Sequence, residues 1–274
     1  MSVWREVATA DGSWTLFHEG VGEGCHSLSG AWQQAVERYA GPCALAERAR
    51  AGELRVCRLL DVGTGLGLNL AAALAALEPS GVPLRALTLE IDPTAIERGL
   101  ALYEREELAH GPWEPWHAQI RNALRAALAR AGREVELGRG GVLELRLGDA
   151  RVTLLEGPRS SFDAVFLDPF SPARSSALWE EAFLGEVARR MEHDAWLSTY
   201  SAAVRVRLAL ARGNLRVGRG PRVGAKGEGT LASPGRTPPA LPPRLARRLA
   251  RLAGPAREEG LLQVRQQDRD PAFD

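Results

Sequence analysis

A β-prone run that passes through closely spaced glycines into an Ala/Leu-rich segment constrains this chain more than any other feature. Arg58–Val62 has the character of a buried strand, and Leu68–Leu77 that of a helix. The glycines between them are Gly63, Gly65 and Gly67. Glycines let a ligand approach the backbone closely, and a helix directs its free N–H groups into the turn that precedes it. The order of strand, glycine turn and helix predicts an α/β fold that binds a ligand at this turn.

Two acidic residues stand at the ends of later β-prone runs. Leu84–Glu90 ends in a carboxylate about 20 residues beyond the glycine turn, the spacing that suits hydrogen bonds to ribose hydroxyls. Asp149 ends another such run, where a carboxylate can accept a hydrogen bond from an adenine amino group. The alternative for both residues is a solvated loop carboxylate.

Dinucleotides and S-adenosylmethionine are the two cofactor classes bound by this arrangement. The dinucleotide pattern GxGxxG ends in a glycine that packs the helix, whereas this turn reads GxGxGxN, with Asn69 inside the helix. A polar residue there suits an amino-acid moiety better than a pyrophosphate. We therefore predict S-adenosylmethionine as the cofactor. Its predicted contacts are Asp61, Gly63, Gly65, Gly67, Asn69, Glu90 and Asp149.

A further β-prone run, Phe162–Leu167, ends abruptly in Asp168-Pro169-Phe170-Ser171-Pro172. Ligands of open α/β sheets lie outside the carboxyl ends of the strands, and a proline biases the residue before it toward extended backbone. We therefore expect Asp168 at the mouth of a cleft, with Phe170 close by to stack on a flat group. The alternative is an Asp-Pro turn that simply ends the strand.

Composition indicates an ordinary globular protein. The 274 residues are 45% hydrophobic and 25% charged, with a net charge of +1 that gives no overall attraction to nucleic acid. The three cysteines and five histidines show no metal-ligand spacing, so no metal site is predicted. No signal peptide or membrane-spanning run is evident, so we expect a cytoplasmic protein with no membrane partner.

Basic residues are concentrated near the end of the chain. From Arg205 to Arg251 the single acidic residue is Glu228. This segment suits a contact surface for a polyanion, and equally a solubilising face.

The alternation of strands and helices predicts a mainly parallel sheet covered on both faces. Two closely spaced strands near residues 215–232 predict an antiparallel edge pair, giving a Rossmann-like, seven-stranded S-adenosylmethionine-dependent methyltransferase fold. Residues 1–50 are expected to form an appendage of a β-hairpin and a helix, residues 51–233 the methyltransferase domain, and residues 234–274 a Pro/Arg-rich extension.

The pattern also predicts the positions of two helices. Ser29 is expected to cap a helix that runs through Tyr39, and a single helix is expected from about Ser175 to Met191.

Several motifs occur in one order along the chain: Thr9–Ser13, Gly22–Ser27, Asp61–Asn69, Asp168–Pro172 with Leu178-Trp179, Thr199–Ala202 and Lys226-Gly227. Over roughly residues 5 to 233, this order resembles that of the methyltransferase domain of the MnmC-type tRNA-modifying proteins.

The resemblance implies methylation of 5-aminomethyluridine at the wobble position of tRNA, giving 5-methylaminomethyluridine. It also implies that Asp168 is catalytic and that the anticodon loop is bound. The substrate-binding residues that it implies are His26, Phe170, Ser171 and Lys226. Many members carry a fused oxidase, to which nothing here corresponds. We therefore expect a stand-alone methyltransferase with a functional link to the enzyme that installs the aminomethyl group.

Other functions remain open at this point. A polyamine aminopropyltransferase has the same fold and an Asp at the same strand end, but needs a more acidic pocket for its cationic substrate. A methyltransferase acting on a protein or a small molecule is another alternative. A non-catalytic tRNA-binding module is a third, against which the intact Asp168 and glycine turn argue.

Overall fold

The computed structural model describes residues 3–108, 110–156, 161–224 and 226–254. The strands are β1 (Trp4–Ala8), β2 (Trp14–His18), β3 (Glu23–Gly24), β4 (Cys57–Val62), β5 (Leu84–Glu90), β6 (Glu134–Gly138), β7 (Gly141–Leu147), β8 (Phe162–Leu167), β9 (Met191–Thr199), β10 (Arg216–Val223) and β11 (Lys226–Ser233). The α-helices are α1 (Ala31–Gln34), α2 (Leu45–Arg50), α3 (Leu68–Leu77), α4 (Pro93–Leu102), α5 (Trp116–Leu128), α6 (Ala150–Thr153), α7 (Glu181–Arg189), α8 (Val204–Arg212) and α9 (Pro243–Ala253). A π-helical segment, Ala35–Ala40, continues α1. Within these ranges, no helix combines the length and apolar character needed to cross a membrane.

The central sheet has eight strands in the order β10-β11-β9-β8-β4-β5-β7-β6. Its inner strands β9, β8, β4, β5 and β7 are parallel, and β10 and β11 form the antiparallel pair at one edge. The predicted α/β class is thus confirmed. The sheet has one strand more than predicted because β6, the first arm of a hairpin with β7, pairs with that strand and extends the other edge.

Apolar side chains bury both faces of the sheet, as parallel strands require. Every residue of β8 is buried. Along β4, Leu59 belongs to the apolar cluster that includes α3 and α5, while Leu60 belongs to the cluster that includes α7 and α8. Residues that alternate along a strand point to opposite faces, so this one short segment contributes to both layers of the core.

The N-terminal residues are packed against the central sheet. β1, β2 and β3 form a small antiparallel sheet of their own. Trp4, Leu16 and Tyr39 nevertheless belong to the same apolar cluster as Leu59 of β4. The segment that the sequence suggested as an appendage therefore shares a core with the methyltransferase-like sheet, and the predicted boundary at residue 50 stays a prediction.

Two local predictions were wrong. A single helix was expected from Ser175 to Met191, but a short 3₁₀ turn is followed by extended backbone at Glu180 before α7 begins. The indole of Trp179 donates to the Phe170 carbonyl at 2.9 Å, which anchors this turn to the loop after β8. Ser29 was expected to cap α1; the N-cap is Gly30, and the Ser29 hydroxyl bonds to Ser27 instead.

Substitution of Gly99 in α4 tests the packing of this helix on the glycine turn. A Cβ on Gly99 would lie 2.9 Å from the Leu66 Cα, so Gly99→Ala should lower the free energy of unfolding by about 1–3 kcal/mol. Urea unfolding followed by circular dichroism measures this change. The control is Gly185→Ala in α7, where the nearest atom is a flexible Arg189 nitrogen at 3.6 Å. That variant should gain roughly 0.5–1 kcal/mol from helix propensity. A stabilised Gly99→Ala protein would contradict the packing.

Candidate active site

A cleft of about 760 Å³ opens at the carboxyl ends of β4, β5 and β8, and the end of β7 also contributes to it. The strand order reverses here, because β5 and β7 lie on one side of β4 while β8 and β9 lie on the other. Ligands of open α/β sheets bind at such a topological switch point. The fold therefore places the glycine turn and the end of β8 at one opening.

The three predicted glycines have different surroundings. Gly63 has φ +91°, and a Cβ on it would lie 2.8 Å from the Asp168 carbonyl oxygen. Gly65 has φ +49° and faces the cleft, where the nearest side chain, Cys25, lies 3.9 Å from the position that a Cβ would occupy. Gly67 does not line the cleft. A Cβ on it would lie 2.8 Å from the Leu124 Cδ1 of α5. Gly65 therefore keeps backbone open to a ligand, whereas Gly63 allows the close approach of Asp168 and Gly67 allows helix packing.

Glu90 lies at the end of β5 and is held by backbone donors. Its Oε2 accepts from the Gly65 N–H at 2.9 Å, and its Oε1 accepts from the Ile91 and Asp92 N–H groups at 2.8 and 3.1 Å. Burial raises the pKa of Glu90, and these hydrogen bonds oppose the shift. The carboxylate is fixed against the glycine turn and lines the cleft, where its remaining lone pairs can accept from vicinal hydroxyls.

Asp149 lines the cleft, but its carboxylate is occupied by Arg151. Asp149 is the N-cap of α6, and the Arg151 Nη2 donates to its Oδ2 at 2.6 Å. The hydrogen bonds from Arg151 lower the pKa of Asp149. The Arg151 side chain is 53% exposed, so it can move aside at little cost if an adenine amino group takes its place.

Asp61 and Asn69 lie beneath the cleft wall. They are 0% and 2% exposed, respectively. Asp61 Oδ2 accepts from the Thr88 hydroxyl at 2.8 Å, and burial raises the pKa of Asp61 well above its ordinary value. Each residue keeps one side-chain oxygen, Oδ1, without a hydrogen-bond partner among the described residues. Buried acceptors of this kind are costly unless a ligand or water satisfies them.

These observations fit S-adenosylmethionine. The Glu90 carboxylate suits the ribose hydroxyls of an adenosine, and the space at Gly65 would be filled by a Cβ on any other residue. The unsatisfied oxygens of Asp61 and Asn69 lie behind the same turn. The described residues contain no group of three or more His, Cys, Asp or Glu side chains arranged to hold a metal ion.

Asp168 follows β8 and is held by neutral donors. Its Oδ2 accepts from the Asn69 amide at 3.0 Å and from the Gln34 amide at 3.4 Å. The Gln34 Oε1 in turn accepts from the Ser27 N–H at 2.9 Å. Burial, and then the Asp168 charge, raise the pKa of Tyr39 well above its ordinary value, so this phenol stays protonated. Asp168 is therefore a carboxylate at the cleft whose inner side faces hydrogen-bond donors.

The π-helical segment carries Arg38 into the same region. This residue is 1% exposed. Its Nη2 donates to the Gly227 carbonyl at 3.1 Å and its Nη1 donates to the Pro221 carbonyl. Burial lowers the pKa of Arg38, and the nearby Tyr39 and Asp168 oppose the shift. π-Helical turns within α-helices are frequent at functional sites, and this one joins α1 to the β10–β11 hairpin.

An aromatic cluster forms one wall of the cleft. Phe170 stacks on Trp4 with ring centroids 6.2 Å apart, and His18 meets Phe170 edge-on at 6.1 Å. The Trp4 indole donates to the Asp92 carboxylate at 2.9 Å. Phe170 thus lies at the cleft as expected, but Trp4 and His18 were not found from the sequence, because their proximity depends on the packing of β1 and β2.

The other predicted substrate-binding residues differ in their surroundings. Ser171 lines the cleft, and its N–H and hydroxyl both donate to Glu23 of β3. His26 is buried at the cleft, with its Nδ1 3.0 Å from the Thr15 hydroxyl. Lys226 begins β11 and pairs with Val223, but its side chain lies outside the described residues.

The basic C-terminal segment is only partly available as a surface. Arg207 is buried and donates to Glu228 and to the Gly229 carbonyl, so it fastens α8 to β11. Arg212 and Arg236 form ion pairs with carboxylates. The exposed arginines of the segment are Arg205, Arg219, Arg222, Arg244, Arg247, Arg248 and Arg251.

Comparison with known proteins supports a methyltransferase. A family described as S-adenosyl-L-methionine-dependent methyltransferase matches residues 105–234. The crystal structure of MnmC2 from Aquifex aeolicus is 31% identical, with a TM-score of 0.73 over 99% of this chain and 82% of that one. The predicted methyltransferase fold and the predicted cofactor are thereby confirmed.

Two further proteins differ in sequence identity to this chain and in how much of their own length it covers. The bifunctional protein MnmC of Polaromonas naphthalenivorans, named for tRNA 5-methylaminomethyl-2-thiouridine biosynthesis, is 32% identical over 212 residues, which are 76% of this chain and 32% of that protein. This chain therefore spans about a third of the length of that relative. A probable spermidine synthase from Corynebacterium glutamicum shares the fold at 15% identity, with a TM-score of 0.51 over 91% of this chain and 82% of that one.

Gly65→Val tests the cofactor site. The branched side chain would project into the cleft, and a clash of about 1–3 kcal/mol corresponds to a roughly tenfold to hundredfold loss of S-adenosylmethionine affinity. Titration calorimetry on the folded variant measures the loss. Gly81→Val is the matched control, because Gly81 also has positive φ (+66°) but no atom within 4 Å of its Cβ position. Equal affinities of the Gly65→Val and wild-type proteins would refute the site.

Proposed function

The chain belongs to the MnmC2 family of S-adenosylmethionine-dependent methyltransferases, and on that premise we propose that it methylates the 5-aminomethyl amine of the wobble uridine in tRNA, giving 5-methylaminomethyluridine. The observation that carries this proposal is the Asp168 carboxylate at the cleft, supported from behind by Asn69 and Gln34. The name of the Polaromonas relative, which refers to this modification, agrees with the proposal.

The acceptor in this reaction is a primary amine, which is mostly protonated near neutral pH and then has no lone pair. Once the ammonium has lost a proton to solvent, Asp168 can accept a hydrogen bond from the neutral amine and orient the nitrogen lone pair toward the methyl group. The same negative charge stabilises the positive charge that develops on nitrogen as it gains a fourth substituent. Gly63, Gly65, Glu90 and Asp149 would hold the cofactor, which would supply an electrophilic methyl group. Alignment of the two reactants by the cleft accounts for much of the acceleration.

The uracil ring is proposed to enter the cleft beside Phe170. Bases that undergo chemistry are extruded and packed on aromatic side chains. Ser171 and His26 line the same opening and are held in place by Glu23 and Thr15. Together with Lys226, these residues are the proposed substrate contacts.

The anticodon loop is proposed to reach the cleft while arginines of the C-terminal segment contact phosphates. Such contacts orient the RNA without reading its sequence. The proposed substrate already carries an aminomethyl group, so the protein would act after the enzyme that installs it. Methyl transfer from labelled cofactor to tRNA, followed by nucleoside mass spectrometry, tests the reaction directly.

A second candidate is aminopropyl transfer to a polyamine. The acidic residues that line the cleft favour a cationic substrate, and the shared fold with a probable spermidine synthase permits the reaction. Incubation with tRNA and with putrescine in separate assays distinguishes the two functions, because each yields a different labelled product.

Asp168→Asn tests the role of this carboxylate in catalysis. Asn keeps the shape of the side chain but removes its charge, so the rate of methyl transfer should fall by about 10²-fold or more. Single-turnover methylation of tRNA across a pH series is the measurement, and cofactor affinity should be unchanged. The control is Asp194→Asn, at an exposed position outside the cleft. A rate within about threefold of wild type would mean that Asp168 only ends the strand.

Charge reversal on β10 tests the proposed RNA surface. The double variant Arg219→Glu/Arg222→Glu should weaken tRNA binding and reduce the salt dependence of the binding constant by about one unit of slope per lost phosphate contact. Filter binding at several salt concentrations measures the slope. The control variant, Arg130→Glu/Arg133→Glu, reverses exposed charges in the segment after α5. If this control alone changes the slope, the RNA contacts that segment instead.

A further inference from the structure

Arg174 lies at the rim of the cleft, in the loop that follows β8. Its side chain is exposed and lines the opening, and its Nη2 is 3.5 Å from the position of a Cβ on Gly22. The other arginine that lines the cleft, Arg151, is paired with Asp149. Among the residues that the structure describes, Arg174 has no carboxylate partner. Its positive charge is therefore available to a ligand.

Most of the other charged side chains that line the cleft are acidic. The carboxylates that line it are Glu23, Glu90, Asp92, Asp149 and Asp168. A nucleic acid that entered this opening would bring phosphates close to these negative charges, and like charges repel. A polyanionic substrate therefore needs a cation at the entrance, whereas a polyamine would be repelled by one.

The loop holds Arg174 in a fixed relation to the aromatic wall. The Arg174 N–H donates to the Ser171 carbonyl at 2.8 Å. Ser171 is bound to Glu23 of β3, and the Phe170 carbonyl accepts from the Trp179 indole. A base beside Phe170 and a phosphate at Arg174 would thus be bound by the same short and well-anchored segment.

We propose that Arg174 binds a phosphate group that flanks the acceptor nucleotide and so selects a nucleic acid over a cationic substrate. This inference rests on the proposed function. A guanidinium presents paired N–H donors that match phosphate oxygens, and such charge-assisted bonds are stronger than neutral ones. The exposure of Arg174 permits its side chain to turn toward the phosphate as the base enters.

A cycle of two changes, one in the protein and one in the RNA, tests the contact. The protein change is Arg174→Gln, and the RNA change is a single uncharged methylphosphonate on either side of the acceptor uridine in aminomethylated tRNA. With wild-type protein, neutralising the contacted phosphate should lower kcat/KM by about tenfold, as expected for one charge-assisted hydrogen bond. With Arg174→Gln, the same neutralisation should have no further effect. Substitution on the two sides separately identifies the phosphate.

The controls separate this inference from the proposed function. Arg55→Gln, an exposed change before β4 and outside the cleft, should show purely additive effects with either methylphosphonate. Arg174→Lys should restore part of the rate, since it keeps the charge but loses the paired donors. Calorimetry should give unchanged S-adenosylmethionine affinity for all variants. Additive effects for Arg174→Gln at both phosphates would overturn the contact, whereas failure of the wild-type protein to methylate the unaltered tRNA would overturn the proposed function.

Discussion

The close approach of the turn after β4 to the end of β8 is the contact on which the cleft depends. A Cβ on Gly63 would lie 2.8 Å from the Asp168 carbonyl oxygen, so only a glycine lets these two strand ends meet. Because they meet, Asn69 in the first turn of α3 reaches the Asp168 carboxylate. The residues suited to the cofactor and the carboxylate suited to the acceptor thus lie on neighbouring parallel strands, and one backbone contact keeps them together.

The two sides of the cleft are formed by different structural elements of the chain. The cofactor side, with Gly65 and Glu90, is formed by the central sheet that this chain shares with other methyltransferases. The acceptor side is completed by β1–β3 and α1, which contribute Trp4, Glu23 and Gln34. These N-terminal elements share an apolar core with the sheet, which positions the second side against the first. Differences in substrate between relatives with the same sheet can then reside in these few N-terminal elements.

Local patterns in the sequence predicted the strands, the glycine turn and the positions of Glu90 and Asp168, since each depends on periodicity or on residues that end a strand. Contacts between distant segments were not predictable in this way. The cofactor contact predicted for Gly67 stays a prediction, and the sequence did not show that its glycine also allows the packing of α5, more than fifty positions along the chain. No local pattern distinguishes Gln34, because its role depends on long-range contact with Asp168. Arg207 was counted as surface charge because its partner Glu228 lies on another element.

The buried guanidinium of Arg38 has a mechanical consequence. A guanidinium stays protonated in proteins, so an enclosed one needs acceptors, which Arg38 has for its Nη1 and Nη2 groups. Its acceptors, the Pro221 and Gly227 carbonyls, belong to the β10–β11 hairpin, while its own helix carries Gln34 to Asp168. Separation of the hairpin from this helix would leave a buried cation without its acceptors, which would cost about 3–5 kcal/mol of folding free energy. One buried cation therefore ties the hairpin at the outer edge of the sheet to the helix that supports the Asp168 carboxylate.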